Sequence, residues 1–301
     1  MRSASNRVRR ARPSLGTFVE ITARGADEAR LHCAVDRAFD AIARVDRLMS
    51  FHHSTSDISR INREAFRRKV KVAPWTWRVL QAAQKLSQET NGLFDITVAR
   101  KLMQWNYLPR RYRNVGEGNW HDVILEKNCT VRFGQRVIVD LGGIAKGFAV
   151  DRAVEALKRA GIPSGVVNAG GDLRVFGLKS ELVHLRHPEE PMRTTGAIEL
   201  RERALATSGI YFAQKRCGRA VVSSLLNGRT RRSSRKLISV SVAASACMTA
   251  DALTKIVFIL REKSRPLLAR YHADALLLER DGAPLWMFRS SCDTRDRTRF
   301  D

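Results

Sequence analysis

Apolar residues recur along the chain in two rhythms, and the change from one to the other sets the expected order of elements. After a basic opening, Leu15 to Ala23 (LGTFVEITA) is apolar and β-branched, which predicts a strand. From Ala26 to Met49 the apolar positions Leu31, Val35, Ala38, Ile42, Val45 and Met49 recur at helical spacing, with Arg and Asp between them, which predicts an amphipathic helix. A polar stretch, Ser50 to Ser56, precedes a short helix that carries Ile58 and Ile61 and ends at Asn62. Pro74 opens the next helix, with Val79, Leu80, Ala83 and Leu86 on its apolar face, and Asn91-Gly92 stops it.

Beyond a basic, aromatic and Gly-containing loop from Tyr107 to Asn119, the segments VILEK and VRFGQRVIVDL read as a hairpin parted at Asn128. Its second strand runs into Gly142-Gly143 and a helix bearing Ala149, Ala153, Val154, Leu157 and Ala160. A strand (GVVNAGGDLRVFG), a strand before Arg186, a helix-prone turn from Leu205 to Ser208 and a strand (LISVSVAA) follow. A helix from Ala250 to Leu260 and a hairpin turning at Asp281-Gly282 complete the chain. Hairpins mixed with helices, without a βαβ rhythm, predict an α+β fold.

Composition narrows the classes of function. The longest uncharged run, Leu237 to Ala250, is 14 residues, short of the roughly 18 to 20 that a membrane-spanning helix requires. The basic start has no apolar stretch after it and no Cys to carry a lipid, so the expected location is the cytoplasm. Five scattered cysteines without CxxC spacing are expected as reduced thiols that hold no metal. A net charge of +24 suits either a solvated basic surface or a polyanion ligand, but the cations lie in short groups and no stacking-aromatic motif accompanies them. Stable nucleic-acid binding is therefore not expected.

Three segments could carry chemistry. In VIVDLGGIAKGFAVD, Val137 to Asp151, paired glycines before a helix let backbone N–H groups and Lys146 approach a phosphate, although a tight turn explains the glycines equally well. Asn168-Ala169-Gly170-Gly171-Asp172 is either a close-approach loop or a β-turn. In Met248 to Lys255, Thr249 or Asp251 could cap a helix, or Asp251 and Thr254, three apart on one face, could offer hard oxygens to Mg²⁺. His52, His53 and Asp57 read as surface groups rather than metal ligands.

Taken in order, these segments resemble the ApbE-type flavin transferases. The resemblance is carried by Leu15-Gly16-Thr17, Leu48 to Phe51, Ser56 to Asn62, Asn91 to Val98, Asp140 to Asp151, Asn168 to Asp172, Ala206 to Gly209 and Ala250 to Leu253. It implies one compact α+β domain of mixed sheets with packed helices over residues 13–290, flanked by a basic tail (1–12) and a C-terminal tail (291–301). It further implies FAD as substrate, Mg²⁺ at the pyrophosphate, and transfer of FMN to a Thr or Ser hydroxyl of a client protein with release of AMP. By the same resemblance, Leu15, Gly16, Thr17, Phe51, Leu93, Phe94, Asp95, Asp140, Lys146 and Asp172 contact the flavin nucleotide or border its site. Gly143, Asp251 and Thr254 stand as metal ligands, and Asp251 and Ser224 as catalytic positions.

Two departures from the family pattern bear on chemistry. The family's Thr four residues beyond the metal-binding Asp is Lys255 here, so either Thr254 serves or Lys255 supplies the charge in place of the metal. The family's His-His-Ile-Ile-Asp-Pro-x-Thr-Gly block reads Ser223 to Arg231, with Ser224 at the candidate base and Asn227 at the Asp. That change leaves two rivals to the transferase expectation: a flavoprotein that keeps FAD without transferring it, or a slow FAD pyrophosphatase.

Overall fold

A computed structural model describes residues 6–187, 190, 192–209, 214–218, 220–233, 239–279, 284–288 and 298–299. Along the chain the first elements are β1 (Asn6–Ser14), β2 (Thr17–Gly25), α1 (Glu28–Met49), α2 (Asp57–Glu64), β3 (Val70–Lys71), α3 (Pro74–Glu89) and α4 (Ala99–Gln104). The middle holds β4 (Val123–Glu126), β5 (Thr130–Phe133), α5 (Ala145–Arg159), β6 (Ser164–Ala169), β7 (Asp172–Phe176), β8 (Glu181–Arg186), β9 (Thr194–Leu200) and β10 (Ala204–Gly209). Last come β11 (Gln214–Cys217), β12 (Ala220–Ser223), β13 (Ser239–Ala244), α6 (Cys247–Leu260), α7 (Arg265–Arg270), β14 (Asp274–Leu278), β15 (Pro284–Phe288) and β16 (Thr298–Arg299). Helices mixed with antiparallel sheets make this the expected α+β class.

Contacts divide the chain into two units: Met1–Ala43, Lys146–Tyr211 and Leu237–Asp301 in the first, Arg44–Ala145 and Phe212–Lys236 in the second. The first unit is built on an eight-stranded sheet in the order β1-β2-β6-β7-β10-β13-β14-β15, with a three-stranded sheet, β16-β9-β8, beside it. Leu173, Val175, Leu205, Ala243, Leu276 and Leu278 of the large sheet bury against Leu185, Ile198 and Leu200 of the small one. All of β13 is buried, since α6 lies against β10 and β13. Burial on both faces explains why this strand reads as a run of small and apolar residues rather than an alternation.

Several expected elements are redrawn. The segment read as a basic tail contains β1, an edge strand whose exposed arginines Arg7, Arg9 and Arg12 discourage further strand pairing while Val8 is buried. Leu15 and Gly16, expected in a strand, form the two-residue turn into β2 with φ of 55° and 70°. The single strand expected over GVVNAGGDLRVFG is a hairpin, β6 and β7, turning at Gly170-Gly171 with φ of 60° and 98°. Positive φ at both central residues matches the right-handed twist of the flanking strands. The two tips adjoin: a Cβ on Gly170 would come 2.5 Å from Thr17 Oγ1. Leu205 to Ser208 is strand, within β10, because sheet pairing on both sides overrides its helix propensity. The Asp281-Gly282 turn lies outside the described residues, although β14 and β15 do pair antiparallel.

In the second unit α2, α3 and α4 accompany a small β3-β5-β4 sheet and the β11-β12 hairpin. Asp57, expected at the surface, is buried: its carboxylate accepts from Ala73 N and Thr76 Oγ1, both at 2.8 Å, tying α2 to the start of α3. The strand expected to run into Gly142 ends instead at Phe133. Val137 to Leu141 continues extended outside any ladder, held by the Asn62 amide, which donates to Val139 O at 2.9 Å and accepts from Val139 N at 2.8 Å. One side-chain amide thus replaces a neighbouring strand.

Candidate functional site

The helix starts of α5 and α6 meet in the first unit and cap one another. Asp151, on α5, accepts from Cys247 N at 3.0 Å and Met248 N at 2.9 Å, two first-turn donors of α6. Asp251, on α6, accepts from Gly147 N in the first turn of α5 at 3.0 Å. Each helix places an Asp four residues past the crossing, and each carboxylate satisfies donors that a helix start leaves unpaired. Neither Thr249 nor Asp251 is therefore the cap of α6; Asp151 supplies it from another helix, and Ala246 makes no side-chain cap. The crossing requires Gly147, because a Cβ there would overlap the carbonyl group of Cys247. Cys247 is fully buried, and burial pushes its thiol well above the ordinary range, so it stays protonated.

Around this clasp lie two further acid–base pairs. Lys146 Nζ is 3.1 Å from Asp172 Oδ2, at the start of β7 beside the Gly170-Gly171 tip. Burial alone would lower the Lys146 pKa, but Asp172 and Asp251 outweigh it and hold the ammonium above its usual value. Asp172 is 1% exposed, and Oδ2 has no aligned hydrogen-bond donor among the described residues. Burial, reinforced by Asp251 and opposed by Lys146 and Lys255, pushes its carboxyl up to about 6. Lys255 completes the group: its ammonium donates to Asp251 Oδ1 and, at 2.9 Å, to the Asp251 main-chain carbonyl.

Of the three positions expected to hold a magnesium ion, Gly143, Asp251 and Thr254, the two on α6 do not fit it. Octahedral Mg²⁺ requires free oxygens at about 2.1 Å. Here Oδ2 of Asp251 holds the Gly147 amide and Oδ1 holds the Lys255 ammonium, which would repel a second cation at the same carboxylate. Thr254 Oγ1 donates to Asp251 O at 2.7 Å and takes a hydrogen bond from Ser208 Oγ at 2.7 Å, turned into the protein and fully buried. No cluster of three His, Cys, Asp or Glu side chains that could hold a metal occurs among the described residues.

Apart from Leu15, Gly16 and Thr17 at the hairpin tip of the first unit, the remaining expected site residues belong to the second unit. Phe51 is buried edge-on against Tyr112, with ring centroids 5.5 Å apart, and Leu93 and Phe94 are also buried. Asp95 caps a short 3-10 turn: Oδ1 accepts from Thr97 N and Oγ1, both at 2.8 Å, and Oδ2 pairs with Arg231 at 2.9 Å. Burial raises the Asp95 pKa against the pull of Arg231. Asp140 is raised by burial too, against the Gly142 N–H, which donates to it at 3.1 Å, and the charge of His52. Gly143 lies in the turn leading into α5, and Ser224 is half-buried in the bend after β12.

Arg231 is a residue that sequence reasoning missed. It occupies the position of the family's Gly with a φ of 54°, and its guanidinium also donates to Thr97 Oγ1 at 2.8 Å and Gly118 O at 3.2 Å. A basic residue at a Gly position was the available signal. Asn227, in place of the family's Asp, accepts from Arg229 N and Thr230 N at 2.9 and 3.2 Å, so the turn survives the change. Asp95, Arg100, Lys101, Trp120, Arg229 and Arg231 help to line a cavity of about 580 Å³ within this unit, a volume in the range of small-molecule and cofactor sites.

The fold is α+β, with two helix starts capped by each other's aspartates and flanked by two lysine–aspartate pairs. The sequence profile described as the ApbE family matches residues 15–277, and the chain belongs to the ApbE family. A FAD:protein FMN transferase of Vibrio cholerae serotype O1 is 29% identical over 255 residues, covering 79% of this chain and 75% of that protein. Among solved structures, the ApbE protein of Thermotoga maritima superposes with a TM-score of 0.84 at 26% identity, over 93% of this chain and 97% of that one. The flavin transferase ApbE from Vibrio cholerae gives 0.78 at 25% identity, over 96% and 98%.

Proposed function

We propose that this chain transfers FMN from FAD to a Thr or Ser hydroxyl of a client protein. The acceptor oxygen bonds to the FMN phosphorus, the bond from that phosphorus to the AMP phosphate breaks, AMP leaves, and the hydroxyl proton passes to solvent. The observation that carries this reading is the first-turn lysine of α5, Lys146, held against Asp172 beside the glycine tip, in a chain whose relatives are named for this reaction. Phosphoryl transfer depends chiefly on positioning and charge neutralisation, which positioned ammonium groups serve.

Each expected residue takes a role within that reading. Lys146 and Lys255 direct N–H donors at phosphate oxygens; Asp251 holds Lys255 and the start of α5 in place; Asp172 holds Lys146. By the family resemblance, Phe51, Leu93, Phe94, Asp95 and Asp140 of the second unit are the expected flavin contacts, and Leu15, Gly16 and Thr17 stand at the hairpin tip of the first unit. Ser224 can orient an acceptor hydroxyl but cannot take its proton near neutral pH, so transfer is slower by about 10²- to 10⁴-fold than with a positioned base. The magnesium ion is left out of this reading, since Lys255 already occupies the Asp251 carboxylate.

Incubation of the protein with FAD and Thr- or Ser-containing client domains, followed by in-gel flavin fluorescence, tests the proposal. A slowly accumulating covalent adduct with stoichiometric AMP is the expected result, and absence of an adduct across several clients overturns it. Release of FMN and AMP without an adduct would identify a pyrophosphatase instead, and unchanged bound FAD a storage flavoprotein. The relatives' names favour neither of these, nor nucleic-acid binding.

A further inference from the structure

Lys255 pairs directly with an aspartate of the clasp, and its geometry differs from that of the surface lysines. Its side chain is 22% exposed, its partner Asp251 is fully buried, and the ammonium is fixed from two directions, by a carboxylate and by a main-chain carbonyl of the same residue. An ammonium group has three donors, so at least one remains for a ligand; Lys146, paired with Asp172, likewise keeps donors free. The formal charges of Asp172 and Asp251 are matched by those of Lys146 and Lys255, so the cluster is neutral with no metal present. A divalent ion would add two positive charges to a group already balanced, next to an ammonium that shares its would-be ligand.

We propose that Lys255 is the resident cation of this site: it stands in for a divalent metal, and a pyrophosphate-bearing nucleotide is held by the ammonium groups of Lys255 and Lys146 without added metal. The proposal deepens the FMN-transfer reading and rests on it only for the identity of the nucleotide. The exclusion of metal by Lys255 stands on the ion-pair geometry alone. Three features act together: a helix-borne lysine one turn past the Asp, a carboxylate with both oxygens engaged, and a Thr254 hydroxyl turned inward onto Ser208 and the Asp251 carbonyl.

Two measurements on the full-length protein separate the inference from the reading beneath it. Mn²⁺ titrated into the flavin-free protein and followed by its free-ion electron paramagnetic resonance signal should remain free with the wild type and be captured by Lys255→Thr. FAD titrated calorimetrically into the wild type should give the same affinity in EDTA and in Mg²⁺ to within about twofold, whereas Lys255→Thr should lose about tenfold in EDTA and regain it with Mg²⁺. Stoichiometric Mn²⁺ capture by the wild type, or an affinity for FAD that rises about tenfold with Mg²⁺, overturns the proposal. These two results need no variant and survive any failure of Lys255→Thr to fold. Absence of FAD binding under both conditions, with Mn²⁺ still free in the wild type and captured by the variant, overturns the flavin reading and leaves the displacement of metal by Lys255 established.

Discussion

Buried aspartates anchor both units, but they are neutralised differently. In the second unit Asp95 is a closed knot: two donors from Thr97 and one guanidinium from Arg231 engage its carboxylate. In the first unit the α5–α6 clasp holds Asp151 equally closed, with Arg174 at 2.6 Å and two backbone amides. The neighbouring Asp172 and Asp251 face lysines instead. Arginine presents a planar fork that fixes the geometry of its partner carboxylate, with Nε of Arg174 and Nη1 of Arg231 finding no acceptor among the described residues, while an ammonium is a compact charge whose spare donors can turn toward a ligand. Closed knots build structure, and the lysine-facing pairs keep capacity for an anionic ligand.

Breaking the clasp should have the largest effect. Gly147→Ala drives a methyl group into the Cys247 backbone and separates the helix starts, and urea denaturation should show a loss of at least about 4 kcal/mol. Asp151→Ala should cost ~3 kcal/mol in the same measurement, because it leaves Arg174 and two amides of α6 without their acceptor. A loss no larger than that of a surface Asp→Ala control would show that the reciprocal caps are incidental.

The lysine-facing side of the comparison is sharpened by pH. Asp172 has a folded pKa near 6, raised above its ordinary 3.8. The folded state therefore binds the proton more tightly than the unfolded chain, and the stabilisation this gives is complete below about pH 4 and is lost as pH rises through about 6. Asp172→Asn should accordingly stabilise the protein at pH 7 by ~2 kcal/mol, with the advantage shrinking as pH falls to 5, read from paired thermal melts. An unchanged or lowered melting temperature at pH 7 would show that the Lys146 pair outweighs the burial of charge. The smallest effect belongs to the Asp95 knot. Arg231→Gly relieves the positive φ but removes the partner of Asp95, for a net loss of about 1 kcal/mol by denaturation.

Much of the frame was legible in one dimension. The amphipathic run behind α1, Pro74 at the start of α3, and the order of family segments from Leu15 to Leu253 all survive in the structure, because they rest on local periodicity and turn chemistry. Lys255 in place of a Thr was visible as a departure, and so was the loss of His at Ser224. Errors fell where pairing partners decide: the β1 strand in an arginine-rich opening, the Gly170-Gly171 hairpin inside a continuous apolar run, and the β10 strand over a helix-prone stretch. Each of these depends on residues distant in the chain, to which local propensity is blind.

The site divides along the same line. Sequence determined which residues could bear charge near the glycine turns, since Lys146, Asp172, Asp251 and Lys255 are chemically apt wherever they fold. Only the tertiary structure decided that Gly147 rather than Gly142 is the glycine of closest approach between helices, that Asp151 caps a helix nearly a hundred residues away, and that the Asp251 carboxylate already holds an ammonium. The physical reason is that desolvation and hydrogen-bond saturation are properties of a packed neighbourhood. A carboxylate's capacity to bind a metal is fixed by what else is buried against it, which the order of residues does not state.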